Sequence, residues 1–146
     1  MPVGTKTRTG GPRAILAYVD VPGALSAKTV MPELRELART AGLQVVAEEV
    51  QKRKAVDHRY VFGSGRIQEL NLRALQMDAD IIVFGRELSS TQLRSMSTVT
   101  ELKVIDRTQL ILDIFAKHAR TREGALQVEL AQHEYLLPRL AGQWTH

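Results

Sequence analysis

An α/β fold, a mostly parallel open sheet with helices on both faces followed by a long C-terminal helix, is predicted from three observations. Short apolar runs bounded by Gly, Pro or Asp alternate with stretches of helical periodicity. The intervals between runs leave room for crossover helices. After Arg120 the strand signal stops and only helical spacing remains.

Ala14–Val19 is the first run, closed by Asp20, Pro22 and Gly23, and reads as a buried strand. Met31, Leu34, Leu37, Ala38 and Ala41 recur at helical spacing, with Pro32 placed for a first turn and Gly42 for the C-terminal stop. Leu43 to Val50 reads as a second strand, completing a βαβ unit whose crossover should be right-handed. Gln51 to Arg59 is polar and basic, hence a loop, and Tyr60–Phe62 reads as a short strand or edge extension. Ile67, Leu70, Ala74 and Met77 share one helical face, so Gly63-Ser64-Gly65 sits where an extended segment turns into a helix. Ala79–Phe84 is the next strand. Ser89 with Gln92 has the form of a capping box opening a helix through Met96. Leu102–Asp106 is a further strand, and Asp106 with Gln109 caps the helix carrying Leu110, Ile111, Ile114 and Phe115. From Thr121 to Leu140 one long helix leaves the sheet domain, with Pro138 bending or ending it. It carries two apolar lines: Leu126, Leu130, His133 or Glu134, and Leu137 on one, and Val128, Tyr135 and Leu136 on the other. The expected organisation is a flexible basic tail over 1–12, an α/β domain over 13–120, and the start of a further helical subdomain over 121–146.

A chain of 146 residues without cysteine excludes a disulfide scaffold, thiol catalysis and thiolate metal sites. No apolar run reaches the roughly 18 residues of a membrane span, so a soluble, cytoplasmic protein is expected. The net charge of +4 lies wholly in the first 60 residues, which hold ten Lys and Arg against six Asp and Glu. It gathers in the opening tail (Lys6, Arg8, Arg13) and in Lys52, Arg53, Lys54 and Arg59. Cations clustered on loops favour a polyanion through counterion release, although a solvated polar loop would have the same composition. With aromatic residues at only 5%, a platform of stacked bases is disfavoured and contact with an RNA backbone is the better fit.

The Gly63-Ser64-Gly65 turn could present backbone N–H groups to a phosphate, with Arg66 as counter-charge. The full dinucleotide fingerprint fails after the second glycine and no P-loop occurs in the chain, so a tight turn using glycine's positive φ explains the segment as well. No His, Asp and Glu stand at ligand spacing for a metal, and no nucleophile, base and acid form a recognisable set.

Val104–Ala116, Arg120–Gly124 and Gln127–Leu140, with Thr40-Ala41-Gly42, Phe62–Arg66 and Glu87-Leu88-Ser89 followed by Gln92, together resemble the amino-terminal region of the HflX family of ribosome-associated GTPases, from about residue 13 to the end. The resemblance implies an α/β subdomain followed by the first arm of a helical hairpin. It further implies a GTPase domain in cis that uses GTP and magnesium, and large-subunit and rRNA binding that separates stalled ribosomes. The hairpin's return helix and the P-loop would lie beyond His146, so no cofactor is expected in this chain and catalysis by it alone is not expected. Arg66 stands where the family generally has Lys, and His133 where it usually has Leu. The reading that results is a ribosome- and rRNA-binding module with Lys52, Arg53, Lys54 and Arg59 as phosphate contacts. Alternatives are a nucleotide-sensing domain using Gly63, Ser64, Gly65 and Arg66, and a scaffold that homodimerises through its C-terminal helix.

Overall fold

In a computed structural model, residues 10–140 are described; Lys6, Arg8 and Trp144 lie outside that range. The elements run β1 (Arg13–Asp20), α1 (Ala27–Thr40), β2 (Gln44–Lys52), α2 (Ser64–Gln76), β3 (Ile81–Phe84), α3 (Ser90–Thr100), β4 (Lys103–Asp106), α4 (Arg107–His118) and α5 (Arg122–Leu140). All strand pairs are parallel, in the order β2-β1-β3-β4.

The alternation of side chains along β1 divides the core. Ile15, Ala17 and Val19 pack with Phe62, Ile67, Leu70, Leu88, Leu93 and Met96, which places α2 and α3 on one face. Ala14, Leu16 and Tyr18 pack with Val30, Leu34, Ala38 and Leu110, which places α1 and α4 on the other. Six consecutive β1 residues are buried, the signature of a central parallel strand covered on both faces.

Both expected capping boxes are present, Ser89 with Gln92 and Asp106 with Gln109. Gly42 ends α1 at φ 86, where Leu43 N–H donates to the Ala38 carbonyl and Gly42 N–H to that of Arg39, a Schellman closure that needs the left-handed conformation. The structure departs from expectation at several places. Strand β2 runs on through Gln51 and Lys52, where the loop is expected, because both stay paired with β1. Helix α1 begins at Ala27, a turn before Pro32, because the Asp20 carboxylate accepts from Ala27 N–H and supplies a start that local spacing does not reveal. Tyr60–Phe62 forms no strand; Asp57 and Val61 make an isolated antiparallel bridge, with Val61 at φ 65. Helix α5 does not stand clear of the sheet domain but packs along α3 and α4.

Candidate nucleic-acid interface

The cationic segment begins where β2 leaves the sheet at its C-terminal end. Arg53 N–H donates to the Asp20 carbonyl, so β1 and β2 remain paired to that point. The chain then turns at Asp57, whose carboxylate accepts from the Arg59 and Tyr60 backbone N–H groups at 2.9 and 2.7 Å. These two bonds, Tyr60 first, hold the Asp57 carboxyl below the usual carboxylate range. Gln92 on α3 donates through Nε2 to the Asp57 carbonyl at 2.9 Å and seats the loop against that helix.

Lys52, Lys54 and Arg59 are exposed, and no carboxylate among the described residues is paired with any of them. Arg53 is turned inward instead: its Nη1 is buried without a hydrogen-bond partner and lies 3.2 Å from where a Cβ on Gly63 would stand. The four cations therefore divide into three outward and one inward.

Gly63 caps α2 at φ −67 and ψ 155, and neither Gly63 nor Gly65 has a positive φ, contrary to the tight-turn expectation. What Gly63 provides is close approach, since Arg53 and the Gln51 amide crowd its missing side chain, and Gln51 Oε1 accepts from its N–H at 2.9 Å. No side chain caps the start of α2. Arg66 faces β2, donating to the Val50 carbonyl at 2.8 Å and lying 3.5 Å from the largely buried Glu49. Ser64 and Gly65 are exposed. The turn thus keeps open backbone donors while its arginine is already engaged.

Two groups escaped the sequence reading. Arg94 is the single charge on α3, a helix with Ser or Thr at six of its eleven positions; that composition was the available signal. The second is the anchor of α5. Asp106, 1% exposed, accepts from Gln109 N–H and Leu88 N–H, each at 3.0 Å, and from the Tyr135 hydroxyl at 2.5 Å. Arg139 lies 3.6 Å over the Tyr135 ring and donates to the Leu88 carbonyl at 3.1 Å. Burial, and then the hydrogen bond to Asp106, raises the Tyr135 pKa above the ordinary phenolic value. Of the two apolar lines on α5, that of Val128, Tyr135 and Leu136 is partly covered, while Leu126, Leu130 and Leu137 stay more than half exposed.

Comparison with known proteins places the chain. The family model described as GTP-binding GTPase N-terminal matches residues 28–116, and that described as GTP-binding GTPase Middle Region matches residues 118–146. A GTPase HflX of Alkalihalophilus pseudofirmus is 50% identical over 111 residues, 76% of this chain and 26% of its own length. The Escherichia coli GTPase HflX is 41% identical over 116 residues, 80% of this chain and 27% of its own. That of Magnetococcus marinus is 41% identical over 144 residues, 97% of this chain and 33% of its own. The chain thus spans about a quarter to a third of the length of these relatives. The fold resembles a GTP-binding protein from the hyperthermophilic archaeon Sulfolobus solfataricus, solved in complex with GDP, at a TM-score of 0.70 and 21% identity, covering 91% of this chain and 40% of that one.

Proposed function

The chain belongs to the HflX family of GTPases, and on that premise we propose that it is the RNA-facing amino-terminal module of such a protein, acting on the large ribosomal subunit in the cytoplasm. The observation that carries the reading is the set of three exposed cations, Lys52, Lys54 and Arg59, at the C-terminal end of β2 and on its loop, with no carboxylate among the described residues paired with them. Arg35, Arg39 and Arg107 each hold a carboxylate within 3.2 Å, while the other exposed cations without one among the described residues, such as Lys28, Lys103, Arg120 and Arg122, are not gathered on a single loop. Unpaired cations on a loop pinned by Asp57 and Gln92 suit phosphates, which they can meet without first breaking an ion pair.

In this reading GTP and magnesium are bound by a GTPase domain in cis, and none of the residues described above takes part in hydrolysis. Residues 121–146 begin a helical hairpin whose return arm covers the line of Leu126, Leu130 and Leu137. The anchor of Asp106, Tyr135 and Arg139 fixes that hairpin to the sheet domain, so a change in its partner would be transmitted to the basic loop as a shift in population. Splitting of stalled ribosomes is the action such coupling would serve.

Co-sedimentation with 50S subunits at low salt tests the proposal. The unsubstituted chain should pellet with the subunits and the double variant Lys52→Glu, Lys54→Glu should pellet markedly less. Equal pelleting of both would refute the assignment.

A nucleotide-sensing role for the Gly63–Arg66 turn has one observation in its favour, the uncapped start of α2 beside the unpartnered Arg53 Nη1. Calorimetric titration with ATP and GTP separates the two readings: heat at millimolar nucleotide supports the sensor, and its absence removes it.

A further inference from the structure

We propose that the groove between the loop around Asp57 and helix α3 holds a phosphodiester of single-stranded RNA, clamped by Arg59 and Arg94; this rests on the RNA-facing reading and gives it a defined site. The groove is an open hollow of about 430 Å³, lined by Arg59 and Tyr60 from the loop and by Thr91, Arg94, Ser95, Thr98 and Val99 from α3, with no carboxylate among these residues. That volume leaves room for a phosphate and part of its ribose while one side stays open to solvent.

The walls are chemically idle. Arg35, Arg39, Arg66, Arg107 and Arg139 each lie within 3.5 Å of a carboxylate; Arg59 and Arg94, like Arg86, Arg120 and Arg122, have no such neighbour among the described residues, and of these it is Arg59 and Arg94 that share a groove. Mid-helix hydroxyls commonly bond back to the preceding turn, as Ser97 does to the Leu93 carbonyl at 2.7 Å and Thr100 to that of Met96 at 2.6 Å. Thr91, Ser95 and Thr98 make no such bond, and their spacing puts them on one face with Arg94. An exposed helix face selected only for stability would favour Glu and Lys pairs over hydroxyls, which are weak helix formers. The frame is fixed in advance. Asp57 holds the Arg59 and Tyr60 amides, Gln92 ties that loop to α3, and the same Gln92 closes the capping box with Ser89.

Two guanidiniums and three hydroxyls, none with a side-chain partner among the described residues, match a phosphate and its ribose. Tyr60, half-buried against the core, forms part of the wall beside them. A free mononucleotide offers the same phosphate but brings a single one, whereas successive phosphates of an RNA strand could also engage the exposed Lys54, five residues before Arg59.

Because the chain has no cysteine, Ser95→Cys gives a unique thiol in the groove and Thr40→Cys a control at the far end of α1. The probes are an unstructured RNA dodecamer and uridine monophosphate. RNA should slow maleimide alkylation of Ser95→Cys at least about fivefold, reversibly with salt, and leave Thr40→Cys unchanged. Arg94→Gln should weaken RNA binding about tenfold and lower the salt slope by about one. If the unsubstituted chain binds the RNA and 50S subunits but Ser95→Cys is unprotected and Arg94→Gln binds normally, the groove is overturned and the broader reading stands. Protection by uridine monophosphate with none by RNA overturns the choice of strand over mononucleotide. No binding of RNA or 50S at low salt overturns both.

Discussion

Tyr135→Phe removes one oxygen and with it the hydroxyl bond that joins α5 to the end of β4. Asp106 is almost fully buried and would keep its two backbone donors, Gln109 N–H and Leu88 N–H. The Phe ring still lies beneath Arg139, so packing and the cation–π contact are nearly conserved. A hydrogen bond to a charged group contributes roughly 1.5–3 kcal/mol. With two of three donors left in place, the lower part of that span applies, about 1.5–2 kcal/mol. For a chain of this size that is a fall in melting temperature of about 3–8 °C, and a rise in α5 amide exchange of about ten- to thirtyfold if the helix opens locally. A pH series adds a second signature. Burial raises the Tyr135 pKa in the folded state above its unfolded value, so its contribution is complete below pH about 10 and declines as pH rises beyond that. The Phe variant should lack this alkaline decline. Melting within 1 °C of the unsubstituted protein, with unchanged α5 exchange, would refute the anchor.

Three further outcomes follow from the same geometry. Gly63→Ala should cost less than about 1 kcal/mol in chemical denaturation, since φ −67 suits any residue and only the tip of Arg53 must shift, whereas Gly42→Ala at φ 86 should cost about 1–2 kcal/mol. Asp57 favours its charged form when folded, so the bonds to Arg59 and Tyr60 are intact above the ordinary carboxylate range and are lost as pH falls through the lowered pKa; nuclear magnetic resonance should show those two amides losing protection on acidification ahead of the β1 core. Leu126→Ser with Leu130→Ser, both on the uncovered line of α5, should change the unfolding free energy of the isolated chain by less than about 1 kcal/mol, and a sedimentation series should show any self-association through this face falling.

Local chemistry was readable in the sequence and tertiary pairing was not. The boxes at Ser89 and Asp106 were legible because a cap and its N3 partner are three residues apart, and Gly42 because a helix stop needs one residue of a particular conformation. The start of α1 was hidden because its first N–H is satisfied by Asp20, seven residues earlier, while Pro32 drew the boundary toward itself. The docking of α5 was hidden for a related reason. Asp106 reads locally as a cap, and nothing near it announces that its second oxygen serves Leu88 and Tyr135. At the cationic loop, residue types marked the region but not the direction of each side chain, so Arg53 looked equivalent to Lys52 and Lys54 until Gly63 was seen to admit it inward. Arg94 joins Arg59 only because Gln92 reaches a carbonyl 35 residues back.

The salt dependence of the chain's affinity for purified 50S subunits bears most directly on an RNA-facing surface. Three or four phosphate contacts, from Lys52, Lys54, Arg59 and Arg94, should give a log–log slope of about −2 to −4, falling by about two in the Lys52→Glu, Lys54→Glu variant. A slope near zero, or no binding at roughly 50 mM salt where such contacts are strong, would contradict the account.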